Sequence, residues 1–210
     1  LLVYPLIRSL EQFFGNVSFL RYLDGFRYPL AGEFSMRADV VKTIRIPSDW
    51  GLEIGLLSEV KRLNPINRIC QVEIADRYDH KHQPLSQEDR DKGLSKMSID
   101  ISKAIFRELA VNGYTFSQEI FRSLKATYYK TALDYVEQYY NDSVMNGLNL
   151  DHHAEEEIVE VFARNIYLAG EDFLSNPMQS DFIPSWKRVI SAIPDFLEQF
   201  YEAVELDNKE

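Results

Sequence analysis

The sequence predicts a chain with a mixed α/β front, residues 1–85, and an all-helical rear, residues 86–210. Three observations carry this. "RICQVEIA" at 68–75 alternates Cys70, Val72 and Ile74 against Gln71 and Glu73, the period-two pattern of a half-buried strand. Beyond Ser86, apolar residues recur instead at helical spacing, in runs closed by Asn-Gly or Asn-Pro. With 45% hydrophobic residues, 13 Phe and 12 Tyr, the chain has the apolar volume for a filled core, which excludes a disordered polymer.

Taken in order, residues 1–27 read as helical: Leu2, Leu6, Leu10, Phe13 and Phe14 share one face, Pro5 suits a first turn, and Gly15-Asn16 is a break. "YPLAGEFSMR" at 28–37 is extended and then tight. Pro29 fixes φ, and the small Ala31-Gly32 pair admits close approach to the backbone. A helix is expected over 47–65, capped by Ser48 or Asp49 and stopped by Asn64-Pro65. The strand at 68–75 then runs into "RYDHKHQP", residues 77–84. Ser86 and Asp89 form a capping arrangement for a helix bearing Leu94, Met97, Ile101, Ile105 and Leu109 and ending near Gly113. Helices over 115–145, 152–175 and 185–206 follow, with Asn146-Gly147, Asp151, Asn176-Pro177 and Ser185 as boundaries and a kink at Pro194. No repeat, low-complexity stretch or flexible linker interrupts the chain, so front and rear are expected to pack together.

Charge and cysteine usage narrow the function classes. Lys and Arg number 23 against 33 Asp and Glu, a net charge of −10, with none of the basic stripe that long nucleic acid demands. A small anionic substrate needs only a few local cations and is not excluded. Cys70 is the single cysteine; no intrachain disulfide can form, which fits a reducing, cytoplasmic setting. "LLVYPLI" is far shorter than the roughly 20 residues of a membrane span and has no basic region before it, so neither a membrane partner nor a signal peptide is expected.

Two places hold chemistry. On a helical wheel started at Trp50, Leu52, Ile54, Leu56, Leu57, Val60 and Leu63 fill one apolar arc, and Glu53 falls in its middle at about 300°. A carboxylate so placed pairs with a cation, is held neutral, or faces a polar cavity. Gly51 and Gly55 flank it; each costs a helix about 1 kcal/mol relative to alanine, which points to close approach along that face. The second place is the histidine loop. His80 and His82 point the same way if the segment is extended, Asp79 adds an oxygen, and Lys81 offers charge to a phosphate. Taken alone, H-x-H leaves a metal site, a phosphate site and a solvated loop all open. His152 and Glu156, one helical turn apart, have metal-ligand spacing too, although the helix dipole already favours acidic residues there.

Together, "YPLAGEFSMR", "DWGLEIGLL" and a strand leading to "HKHQPL" resemble, in order and spacing, the acceptor-side half of the glucosyl-3-phosphoglycerate synthases, retaining glycosyltransferases of the GT-A fold. That family patterns here as P-L-G-G-E-Y/F, G-V/L-E-I-G-L-L and H-R-N-R-P-L, and the likeness covers roughly residues 1–110. Mannosylglycerate synthases using GDP-mannose carry similar P-L-G-G-E and D-W-G elements, but their helix resembles W-G-I-D where this chain has "GLEIGLL". The resemblance implies an NDP-glucose donor and a 3-phosphoglycerate acceptor. It places Leu30, Ala31, Gly32 and Glu33 along the donor sugar, with the Leu30 backbone near the reacting centre and Glu53 bonding sugar or acceptor hydroxyls. His80 becomes a ligand of Mg²⁺ or Mn²⁺, the imidazole favouring Mn²⁺, and His82 and Lys81 face the acceptor. Two departures stand out: Ala31 replaces the first glycine of the pattern, and His82 stands where the family often has Asn.

The same resemblance divides the chain into residues 1–113, part of the GT-A catalytic domain, and residues 114–210, a helical extension suited to a homodimer. No Asp-x-Asp precedes residue 28, so the chain is expected to be the C-terminal part of a longer enzyme, lacking the nucleotide-binding half and inactive alone. Two other classes compete: a helical interaction module presenting "TYYKTALDYVEQYY" at 127–140, and a metal hydrolase using His80, His82 and a third ligand.

Overall fold

In the computed structural model, residues 1–74, 92–177 and 182–208 are described. Helix α1, Val3–Phe14, buries Leu6, Ile7 and Leu10 and stops at Gly15, whose φ of 72° suits glycine and whose N–H bonds Glu11 O at 2.8 Å. α2, Ser18–Asp24, follows the break expected at Gly15-Asn16. Residues 25–37 carry no regular element except a turn in which Ala31 N–H donates to Tyr28 O at 3.2 Å, and a short α3 spans Ala38–Val41.

Strand β1, Ile46–Pro47, pairs antiparallel with β2, Phe182–Ile183, in the register Ile46↔Ile183 and Pro47↔Phe182. α4, Leu52–Leu63, is entered through Asp49, whose carboxylate accepts from Gly51 N–H at 2.8 Å; Asn64 is extended, as a residue before proline must be. A 3-10 turn at Ile66–Arg68 comes next.

The strand expected at 68–75 does not form over its described residues. Val72 is 75% exposed and Ile74 65%, so neither face of the alternation is buried. Among the described residues no backbone ladder forms along 69–74. Instead the Gln71 side chain holds the segment to the end of α2: its Oε1 accepts from Arg27 N–H at 2.7 Å and its amide donates to Gly25 O at 3.0 Å. Alternation fixed an extended chain, but a strand also needs a neighbour.

The rear is helical as the periodicity requires. α5 spans Gly93–Val111; the expected capping pair Ser86 and Asp89 lies outside the described residues. α6, Gln118–Met145, is capped by Ser117, whose hydroxyl accepts from Ile120 N–H at 3.4 Å, and α7, His152–Ser175, by Asp151 through Ala154 N–H at 3.1 Å. The helix expected over 185–206 is two helices, α8 at Trp186–Ala192 and α9 at Phe196–Asp207. Pro194 separates rather than kinks them: Ile193 before it is extended, and proline offers no N–H to continue the ladder.

The core lies where α1, α5, α6 and α7 meet and runs across residue 113 without interruption, joining Leu6, Phe106, Phe121, Tyr128 and Ile166 in one cluster. Phe116 stacks on Phe121 with centroids 5.1 Å apart, and Phe106 and Phe173 close around them. α7 approaches this cluster at Gly170, where an added Cβ would lie 2.4 Å from the Phe121 ring. Among the described residues no helix is long and apolar enough to cross a membrane.

Candidate functional site

Tyr28, at the start of the 28–37 loop, lies within electrostatic range of Glu53 in the first turn of α4. Pro29 is buried and Leu30 packs half-buried against the core, which anchors the loop. The Tyr28–Ala31 turn then brings Gly32 and Glu33 to the surface. A Cβ built on Gly32 has nothing within 4 Å, so space is open there. Tyr28 joins the two elements: burial, then the charges of Glu53 and of Glu33, hold its hydroxyl above the usual tyrosine range. The phenol therefore sits within electrostatic reach of both carboxylates and stays protonated at neutral pH.

Glu53 itself is half-buried in the first turn of α4. Burial pushes its carboxyl above the ordinary glutamate value, and a bond to its own backbone pulls the other way. Among the described residues no cation pairs with it. The ion pair that was one alternative for Glu53 is instead made by Glu59, less than two turns on, which is 6% exposed. Arg45 and Arg62 bond its two oxygens at 3.1 and 2.9 Å. Sequence reasoning passed over Glu59 because it falls at about 180° on the wheel, at the edge of the apolar arc. The Arg62 three residues along was the available signal.

The two glycines beside Glu53 serve the protein's own packing. A Cβ on Gly51 would meet Ala104 Cβ and the Asp49 carboxylate at 2.9 Å, and one on Gly55 would meet Pro47 Cγ at 2.3 Å. Close approach along this face is real, and α5 and β1 are what approach.

His80, Lys81 and His82 lie outside the described residues, so Leu30, Ala31, Gly32, Glu33 and Glu53 are the expected site residues whose surroundings can be stated. His152 is engaged structurally: its Nε2 lies 2.8 Å from Glu137 on α6, and its ring meets Tyr140 edge-on. Among the described residues no group of three or more His, Cys, Asp or Glu is arranged to hold a metal ion. An open cleft of about 570 Å³ lies between Asn16, Tyr22, Phe26, Ile69 and Gln71, and Leu30, Ala31, Gly32, Glu33 and Glu53 do not line it.

The chain is 44% identical over 206 residues, 98% of its length, to a glucosyl-3-phosphoglycerate synthase of Persephonella marina. It is 42% identical over its whole length to one of Methanococcoides burtonii. The resemblance read from three short motifs therefore extends along the entire chain, which spans about half the length of these curated relatives (51% of each). No family model matches the chain, and no solved structure does.

Proposed function

We propose that the protein containing this chain is a retaining glycosyltransferase of the GT-A fold that moves glucose from an NDP-glucose to 3-phosphoglycerate, giving glucosyl-3-phosphoglycerate. The observation that carries the reading is 44% identity sustained over 98% of the chain, motifs included. Residues 1–113 supply the acceptor side of the catalytic domain, and residues 114–210 form a helical extension that mediates a homodimer. The setting is cytoplasmic.

In this reading the sugar ring lies over Ala31, Gly32 and Glu33. The Leu30 carbonyl and the Glu53 carboxylate face the anomeric centre and stabilise the positive charge that develops there. An acceptor hydroxyl oxygen bonds to the anomeric carbon as the bond to the diphosphate oxygen breaks on the same face. The departing phosphate oxygen takes the acceptor proton. His82 and Lys81 hold the acceptor, Lys81 meeting its phosphate. His80 is the residue of this chain assigned to a bound Mg²⁺ or Mn²⁺, which would supply Lewis-acid neutralisation of the leaving diphosphate.

The test uses the complete natural chain, incubated with NDP-glucose, 3-phosphoglycerate and Mg²⁺ or Mn²⁺ and read by mass spectrometry. Glucosyl-3-phosphoglycerate that disappears with EDTA is expected. A folded sample yielding no product from any common sugar nucleotide overturns the reading.

A further inference from the structure

The chain enters α4 through Asp49, and the two oxygens of its carboxylate have different partners. Oδ1 accepts from Gly51 N–H at 2.8 Å, while the Asp49 carbonyl accepts from Leu52 N–H at 3.2 Å. This is the turn an aspartate makes with the backbone two residues on, and it sets the first peptides of the helix. Oδ2 lies 3.7 Å from the Arg107 guanidinium on α5. Both side chains are largely withdrawn from solvent, Asp49 at 11% and Arg107 at 17% exposure. The arginine is laid along its own helix, its Nε donating to Lys103 O at 3.3 Å.

This bridge closes over a tight contact. A Cβ on Gly51 would lie 2.9 Å from Ala104 Cβ and 3.4 Å from the Asp100 carbonyl, so the start of α4 rests directly on α5. Steric contact limits how near two helices come, but it does not fix how one slides or turns on the other. A carboxylate shared between the backbone of one helix and a cation of the other supplies that direction. Glu53 stands two residues beyond Gly51, in the same first turn, and Ile54 after it is fully buried. A shift of this turn therefore carries Glu53 with it.

We propose that Asp49 is a positioning residue: by joining Gly51 N–H to Arg107 it fixes the first turn of α4 on α5, and so holds the Glu53 carboxylate at the reacting centre. This rests on the glycosyltransferase reading above and deepens it, naming what keeps Glu53 in place.

The test measures kcat, and KM for NDP-glucose and for 3-phosphoglycerate, in variants of the complete chain. Asp49→Asn keeps an oxygen for Gly51 N–H and loses the charge facing Arg107. It should lower kcat about 3- to 10-fold with both KM values unchanged, as when an interaction made in the transition state is lost. Asp49→Ala loses the turn as well and should fall further. Arg107→Gln breaks the same pair from the other side. Arg107 engages further groups, so its own loss can be larger, but adding Asp49→Asn to it should cost nothing more. The decisive measurement is Asp49→Asn in the Glu53→Gln enzyme, where kcat should change less than about twofold because the group being positioned is already gone.

Normal kcat in a folded Asp49→Asn, whatever its melting temperature, overturns the assignment and leaves the bridge a matter of stability alone. So does a loss that multiplies in full with that of Glu53→Gln, and so does a Glu53→Gln enzyme of normal turnover. If wild type transfers no glucose, the glycosyltransferase reading fails and this inference falls with it; an active wild type with an unaffected Asp49→Asn removes only the role of Asp49.

Discussion

Glu53 and Glu59 sit on one helix less than two turns apart, and the fold treats their charges oppositely. Burial raises the Glu53 carboxyl, and no cation among the described residues offsets it. The folded state therefore penalises its charge, and the penalty appears as pH rises from the free glutamate value of about 4.3 through the raised one. Glu53→Gln should then melt with wild type in acid and at the same or a higher temperature at pH 7, while turnover falls at least tenfold, as for other groups that stabilise developing charge. A clear loss of melting temperature with normal turnover would make Glu53 a structural residue. For Glu59, burial pushes the carboxyl up, but bonds from Arg62 and Arg45 outweigh it and the value ends below the ordinary one. Its contribution is present above about pH 4.3 and is lost as pH falls through the lowered value. Because both arginines are more than half exposed, Glu59→Gln should cost about 1–2 kcal/mol at pH 7, less than a fully buried pair. Denaturant melts at pH 7 and pH 3.5 test this, the gap narrowing at the lower pH.

At the scale of elements, what the sequence made legible was whatever local rules decide. The helices α1, α4, α6 and α7 follow from spacing and from boundaries such as Asp151, Asn146-Gly147 and Asn64-Pro65, because each is settled within a turn of chain. Residues 69–74 and Pro194 misled for the same physical reason. A strand exists only with a partner, and a proline's effect depends on whether packing bridges the break. The electrostatic reach of Tyr28 to Glu53 joins positions far apart in the chain, and no local rule reveals it. Gly170 was invisible too: in sequence it is a helix weakness, in space the place where α7 meets the Phe121 ring. Gly170→Ala would gain about 1 kcal/mol of helix propensity. It would also force a Cβ to 2.4 Å from a ring already stacked on Phe116 and enclosed by Phe106 and Phe173. Overpacking of this kind costs about 1–3 kcal/mol, so the variant should melt several degrees lower; an unchanged or higher melting temperature would mean that the aromatic cluster yields.

Across the whole molecule, apolar surface is distributed unevenly. α1, α5, α6 and α7 bury theirs in a common core, whereas α9 keeps Phe200 at 45%, Tyr201 at 66% and Leu206 at 65% exposure, with Leu197 and Val204 beside them. The rings of Trp186, Phe196 and Phe200 pack on one another, and α8 and α9 share no residue with the central cluster. Their ties to the rest include the two-residue β1–β2 pairing and Lys187 N–H to Lys42 O at 3.0 Å. An apolar face of this kind is the usual mark of an interface, and the homodimer proposed above gives it a place in which burying Phe200 and Tyr201 against a second copy offsets the entropy of association. Light scattering on the complete chain should then give twice the monomer mass at micromolar concentration. Phe200→Glu together with Tyr201→Glu should return it to monomer, since each would bury an unpaired charge. These positions lie outside the four-helix core, so the double variant should keep its helical circular dichroism, which separates loss of assembly from loss of fold. A monomeric wild type at high concentration would reject the dimer, and a dimer unaffected by both substitutions would move its interface to another face.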